Sequence, residues 1–239
     1  MYIFVNCFYL SDAEREVIDR KVKRDGRMAI WLYASGFANP DADVRMSADN
    51  ITSLTDIHTI CDPHCSFTTF RLTGAHPALS RVDADRLYGR FDRKIESNVW
   101  LRQTAQITYA YPLFTTDDPD AQVLGRFCNT GLPALVIKEM PAYTSVFCGA
   151  KVLRADILQS LLAYAGCHIW NDSTDDVLYA NDHFVVLHAA SAGEKTLHLP
   201  VQTDVYEVYE KRFYGQGTAA ISFPMRRGET KMFSLCGEC

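Results

Sequence analysis

Met1-Tyr-Ile-Phe-Val-Asn-Cys-Phe-Tyr-Leu10, Ser11-Asp-Ala-Glu14 and Met28-Ala-Ile-Trp-Leu-Tyr33 together decide the fold. The first is a nearly unbroken apolar run, the pattern of a strand buried on both faces with neighbours on both sides. The second spells a capping box, in which a serine covers a free helix amide and a glutamate reaches back. Val17, Ile18 and Val22 then form one apolar stripe at helical spacing, and Asp25-Gly26 supplies the stop. The third is another buried strand. Strand, helix and strand within about thirty residues predict a βαβ unit with a right-handed crossover and a parallel sheet. Because the first strand begins with no lead-in, the chain is expected to be N-terminally incomplete.

Outward from this unit, Ser47 caps a short helix spaced by Ile51, Leu54 and Ile57. Ser66 to Thr73 alternates as a strand and is broken by Gly74-Ala-His-Pro77. Residues 78–104 are polar and rich in Asp and Arg, which predicts a surface excursion with one short helix. Ile107-Thr-Tyr-Ala-Tyr and Leu135-Val-Ile-Lys are further strands, and Arg154 to Ala165 is an amphipathic helix stopped at Gly166. After it come six short strand patterns, beginning at Val177, Phe184, Lys195, Val205, Ala219 and Lys231. Such spacing without helices predicts an antiparallel sandwich or barrel. The expectation is therefore an α/β domain over 1–167 and a small all-β domain over 168–239.

With 48% hydrophobic and 22% charged residues, the composition is that of a folded globular chain. A net charge of -5 argues against nucleic acid as a partner. The basic run Arg20-Lys21-Val22-Lys23-Arg24 reads as a solvated helix face. No apolar stretch reaches the ~20 residues that span a bilayer, so no membrane partner is expected. No basic region followed by an apolar signal core opens the chain, which points to a cytoplasmic protein with reduced thiols. Of the eight cysteines, Cys148 and Cys167 lie in apolar surroundings, where cysteine behaves as a small buried hydrophobe.

Three segments carry a resemblance. Gly26-Arg-Met-Ala-Ile-Trp-Leu-Tyr-Ala-Ser-Gly-Phe37 resembles the glycine, strand and Ser-Gly turn in the middle domain of family 42 glycoside hydrolases. Asp118 to Gly125 with Gly131-Leu-Pro-Ala134 is similar to later strands of that domain. Asp175 to Asn181, His188 to Pro200 and Gly228 to Leu235 resemble the small β domain that closes these β-galactosidases. The resemblance implies a flavodoxin-like, class I glutamine-amidotransferase-like trimerisation domain with a three-layer open parallel sheet, followed by a β-sandwich. It implies an accessory role, with an upstream (β/α)8 barrel or identical subunits as partners. Catalysis in that family belongs to a glutamate pair on the barrel, so no catalytic residue carries over, and no cofactor is implied.

Four constellations remain. Ser35 stands where related amidotransferase folds carry a nucleophilic cysteine, with His76 as its candidate base; a turn serine and a packed histidine are the plainer reading. Cys61-Asp-Pro-His-Cys65 and Cys236-Gly-Glu-Cys239 have the paired spacing of a zinc site, with His64 as a substitute ligand, or are unconnected thiols. Trp31, Tyr33, Phe37, Tyr109, Tyr111 and Phe114 are candidates for a sugar-stacking platform at strand ends, or for core packing. The carboxylate pairs Asp117-Asp118 and Asp175-Asp176 read as turn and strand-entry residues, because neighbours on a strand face opposite ways.

Overall fold

A computed structural model describes all residues except 65, 91–107 and 236–239. The chain divides into two compact units, Met1–Ala165 and Gly166–Cys239. In the first, β1 (Tyr2–Phe4), α1 (Asp12–Lys21) and β2 (Arg27–Leu32) form the expected parallel βαβ unit. The Glu14 carboxylate accepts from the amide and the hydroxyl of Ser11, each at 2.8 Å, which is the reach-back half of the capping box. Next come α2 (Ala48–Thr55), β3 (Thr59–Asp62), β4 (Ser66–Phe67), β5 (Phe70–Leu72) and a single 3-10 turn at Pro77–Leu79. Then follow β6 (Tyr109–Ala110), β7 (Leu113–Thr116), β8 (Gln122–Phe127), β9 (Pro133–Glu139), β10 (Tyr143–Cys148) and α3 (Ala155–Tyr164). The short helix expected within 78–104, and residue 107 of the next strand, fall wholly or partly outside the described residues.

The main sheet runs β1-β2-β10-β9-β8-β5. It is parallel across β1, β2 and β10 and antiparallel from β10 to β5, so the expected all-parallel sheet is corrected to a mixed one. The reason lies in the connections. Only residues 128–132 separate β8 from β9, and only 140–142 separate β9 from β10, whereas a parallel crossover needs about a dozen residues or more. Buried side chains of β2, β9 and β10, including Ile30, Trp31, Val136, Val146 and Phe147, share one core with Ile18 of α1, Leu54 of α2 and Leu161 of α3. Two-stranded ladders β3-β7 and β4-β6 accompany the sheet.

The second unit contains β11 (Val177–Ala180), β12 (Phe184–His188), β13 (Gly193–Glu207), β14 (Arg212–Met225) and β15 (Thr230–Ser234). They form one antiparallel sheet in the order β11-β12-β15-β13-β14, in place of the two stacked sheets of a sandwich. Two of the expected strands, at Lys195 and Val205, are parts of the single β13. Register shifts between His198 and Tyr206 interrupt its pairing with β14, and such irregularities bend a strand. Leu197 and Val205, on either side of the bend, join one core with Val185, Phe223 and Phe233. No helix of the described residues is long and apolar enough to cross a membrane.

Candidate functional site

Open α/β sheets present ligands and partners at the carboxyl ends of their strands. Here the chain leaves β2 through Tyr33, a non-glycine residue at φ +56°, then Ser35 and Gly36. Ser35 is fully buried, and its hydroxyl donates to the Leu32 carbonyl at 2.9 Å. That hydroxyl holds the turn and is closed to solvent. His76 lies elsewhere. Between β2 and β5 the sheet reverses direction three times, so β5 leads the chain to the opposite end of the sheet. Four strand spacings add about 19 Å of lateral separation. His76 Nδ1 accepts from the Ala78 amide at 3.1 Å, and the ring meets Tyr164 edge-on at 5.5 Å. The expectation that His76 approaches the Ser35 edge is therefore corrected: each residue stabilises its own local turn.

The six aromatic residues separate in the same way. Trp31 is fully buried, stacked on Phe4 at 4.2 Å, and donates its indole N–H to Ser145 Oγ at 2.9 Å. Tyr33 and Phe114 are buried in edge contact at 5.2 Å, with half-buried Phe37 5.1 Å from Phe114. The Tyr33 hydroxyl donates to the Pro112 carbonyl at 2.6 Å, and the Lys151 ammonium lies 4.9 Å from its ring centre. Tyr109 and Tyr111 are exposed, and Tyr109 pairs with Phe67. Trp31, Tyr33 and Phe114 are thus packing residues.

What the strand ends do present is a loop platform built from polar anchors. Arg15 of α1 is buried and donates to the carbonyls of Leu10, Asn50 and Gly36, tying α1, the turn after β2 and α2 together. Burial holds its guanidinium pKa below the ordinary value. Asn39 donates to Asp12 at 2.8 Å and accepts from the Asp41 amide at 3.0 Å. Asn50 Nδ2 donates to the carbonyls of Phe37 and Val44. Single bridges join Tyr9 to Ala38 and Ala38 to Met46. On this braced backbone Phe8, Tyr9, Val44 and Met46 stand exposed. Loops held on a rigid scaffold, with apolar tips in water, are where partners bind. Residues 38–46 show no helix or strand periodicity in the sequence, and Asn39-Pro40 is their one turn signal. Nothing marks Arg15 for burial, because a helix arginine is ordinarily exposed.

Cys61 is half-buried in β3, where burial and then Asp62 push its thiol pKa up. Cys65, Cys236 and Cys239 lie outside the described residues, and His64 pairs with Asp62 at 2.7 Å. Among the described residues, no three His, Cys, Asp or Glu side chains converge as a metal site. The adjacent carboxylates serve different partners. Asp117 meets His58, while Asp118, with its side chain almost wholly buried, accepts from Lys138 at 2.8 Å and from the His58 amide at 2.9 Å. Burial alone would raise the Asp118 pKa, and these hydrogen bonds bring it below the ordinary value. In the second unit Asp176 is buried against Lys195 at 2.8 Å.

No protein-family model matches the sequence, and no curated protein matches it significantly. Solved structures do match the fold. The β-galactosidase from Bacillus circulans sp. alkalophilus superposes with a TM-score of 0.58 at 12% identity, over 98% of this chain and 32% of that one. The β-galactosidase from the Antarctic haloarchaeon Halorubrum lacusprofundi gives 0.57 at 10% identity, over 99% and 31%. A GH42 β-galactosidase from G. stearothermophilus gives 0.54 at 9% identity, over 98% and 31%. The chain thus spans about a third of the length of these structures and has the fold of part of them.

Proposed function

We propose that this chain is the accessory region of a β-galactosidase-like glycoside hydrolase. In this reading it is non-catalytic alone, holds identical subunits together, and walls an active site carried by a (β/α)8 barrel. The observation that carries the reading is that nearly all of this chain superposes on only about a third of each β-galactosidase. The described residues form a six-stranded mixed sheet and a five-stranded antiparallel one, with no eight-stranded parallel barrel among them. The parallel trio β1-β2-β10, with α1 as crossover, supports a flavodoxin-like, amidotransferase-like origin for the first unit. The platform of Phe8, Tyr9, Val44 and Met46 is the surface we assign to subunit or barrel contact. We place the assembly in the cytoplasm, with its thiols reduced.

The test is an assay of the purified chain on chromogenic galactosides, alone and after co-expression with the sequence encoded upstream of Met1. The expected result is no turnover alone and galactosidase activity in a complex that contains this chain. Turnover by the chain alone, abolished by replacing one of its carboxylates, would overturn the reading, because glycoside hydrolysis needs a carboxyl pair.

A further inference from the structure

A cavity of about 330 Å³ lies in the Gly166–Cys239 unit, lined by Trp170, Asn181, Asp182, Pro200, Val201 and Leu235, among others. Its size is at the lower end of small-molecule sites, roughly 300–1,000 Å³. Trp170 packs on the core of this unit and meets His168 edge-on at 5.0 Å. Asn181 and Asp182 stand on the turn between β11 and β12. Asn181 Oδ1 accepts from the amides of His183 and Phe184, both at 2.8 Å, so the side chain is locked as an Asx-turn. Its Nδ2 donors have no partner among the described residues. The same holds for the Trp170 indole N–H, and the exposed Asp182 carboxylate has neither a hydrogen bond nor an ion pair there.

We infer that this cavity is a subsite for one neutral pyranose unit of a carbohydrate. A pyranose has an apolar face of C–H bonds and a rim of hydroxyls, each both donor and acceptor. The lining offers the matching set: an indole surface with Pro200, Val201 and Leu235 for the C–H face, amide donors from Asn181, and a carboxylate acceptor from Asp182. An anionic ligand is disfavoured, because among the described residues the lining contains a carboxylate and no lysine or arginine. The Asx-turn holds the Asn181 amide before a ligand arrives, and such preorganisation lowers the ordering cost of binding. The site lies within the smaller unit and does not depend on the accessory reading. A chain that proves catalytic alone could still bind sugar here, and an accessory chain could fail to.

The experiment titrates the full chain with methyl β-D-galactopyranoside and follows the amide, Asn181 side-chain and Trp170 indole resonances by NMR. Saturable shifts confined to this turn and to Trp170, with a Kd of about 1 mM, are expected. Asp182→Ala should weaken binding at least about tenfold, the loss of one hydrogen bond to a charged group. Asn181→Asp keeps the two acceptor bonds of the turn, removes the donors, and should weaken binding similarly with the melting temperature unchanged. Cyclohexanol, which matches the ring without the hydroxyl rim, should not compete. Equal binding of cyclohexanol, preference for a quaternary ammonium compound, or unmoved resonances well above millimolar sugar would overturn the assignment.

Discussion

The Arg15 guanidinium donates to the Gly36 carbonyl at 2.6 Å, so a helix side chain sets the turn that follows the second strand. Its other acceptors are also uncharged, namely the carbonyls of Leu10 and Asn50 and the hydroxyl of Ser53. Arg15→Met would keep the apolar stem and leave the Gly36 carbonyl without this donor, whereas the Asn50 carbonyl keeps the Ser53 hydroxyl at 3.1 Å. An unsatisfied buried acceptor costs about 1–3 kcal/mol, so a loss of about 2 kcal/mol in unfolding free energy is expected. Urea titration of the full chain measures it. A change under about 0.5 kcal/mol would mean that the clamp is ornamental.

Gly36 adds a backbone constraint to the same contact. It sits at φ +73°, and a Cβ there would come within 2.5 Å of Leu54 Cδ2 and 3.0 Å of Arg15 Nη2. Gly36→Ala therefore combines the left-handed penalty of about 1–2 kcal/mol with displacement of both neighbours. The expected outcome is a lower melting temperature, and a loss of Arg15 contacts visible as faster exchange of nearby amides.

For Ser35, the geometry separates a turn from a nucleophile. Its hydroxyl is buried on Leu32 O, so Ser35→Ala should cost about 1 kcal/mol or less and leave the activity of an assembled hydrolase intact. A serine-directed phosphonate should not label the chain. Stoichiometric labelling at Ser35, lost in His76→Ala, would show that the two residues work as one unit after all.

The acid limb of stability should report on Glu210 and Lys231. Hydrogen bonds from Lys231 and then Tyr214 hold the Glu210 carboxyl at about 2, against an ordinary 4.5. Burial alone would lower the Lys231 pKa, but its bonds to Glu210 and Tyr214 outweigh that and raise it. A depressed carboxyl stabilises the fold above the unfolded value and loses that contribution as pH falls through the folded value. The window therefore runs from about pH 4.5 down to about 2, and both shifts describe one ion pair. Lys231→Met should flatten this limb for the second unit, measured as the pH dependence of its unfolding midpoint. An unchanged limb would show that the pair is screened by solvent.

How much of this was legible in the sequence depended on range. The βαβ unit could be read because Met28–Tyr33 is continuously apolar and Ser11–Glu14 marks a helix start, both local signals. The direction of β9 and β10 could not be read from their own residues. It follows from the short connection at 140–142, which lies next to a strand, Tyr143–Cys148, interrupted by Thr144 and Ser145. The separation of Ser35 from His76 needs the whole strand order, which no local pattern encodes. In the second unit the strand residues were legible from their alternation, but the continuity of β13 through Pro200 was not, since proline normally marks a break. Trp170, Asn181 and Asp182, which precede that strand in sequence, line one cavity with its Pro200.

The last prediction concerns the edge at β1. Among the described strands it pairs with β2 alone, and Tyr2 and Ile3 are about two-fifths exposed, at 40% and 41%. An unpaired, uncharged edge recruits another strand. The chain purified alone should therefore associate in a concentration-dependent way, which is what the proposed subunit-joining role requires. Ile3→Lys places a charge on the edge, beside its register partner Ile30 of β2, and should shift the population toward monomer. Sedimentation velocity over a dilution series measures both. A wild-type chain that stays monomeric at every concentration would remove β1 as a joining edge and would leave the loop platform of Tyr9, Val44 and Met46 as a surface for the barrel alone.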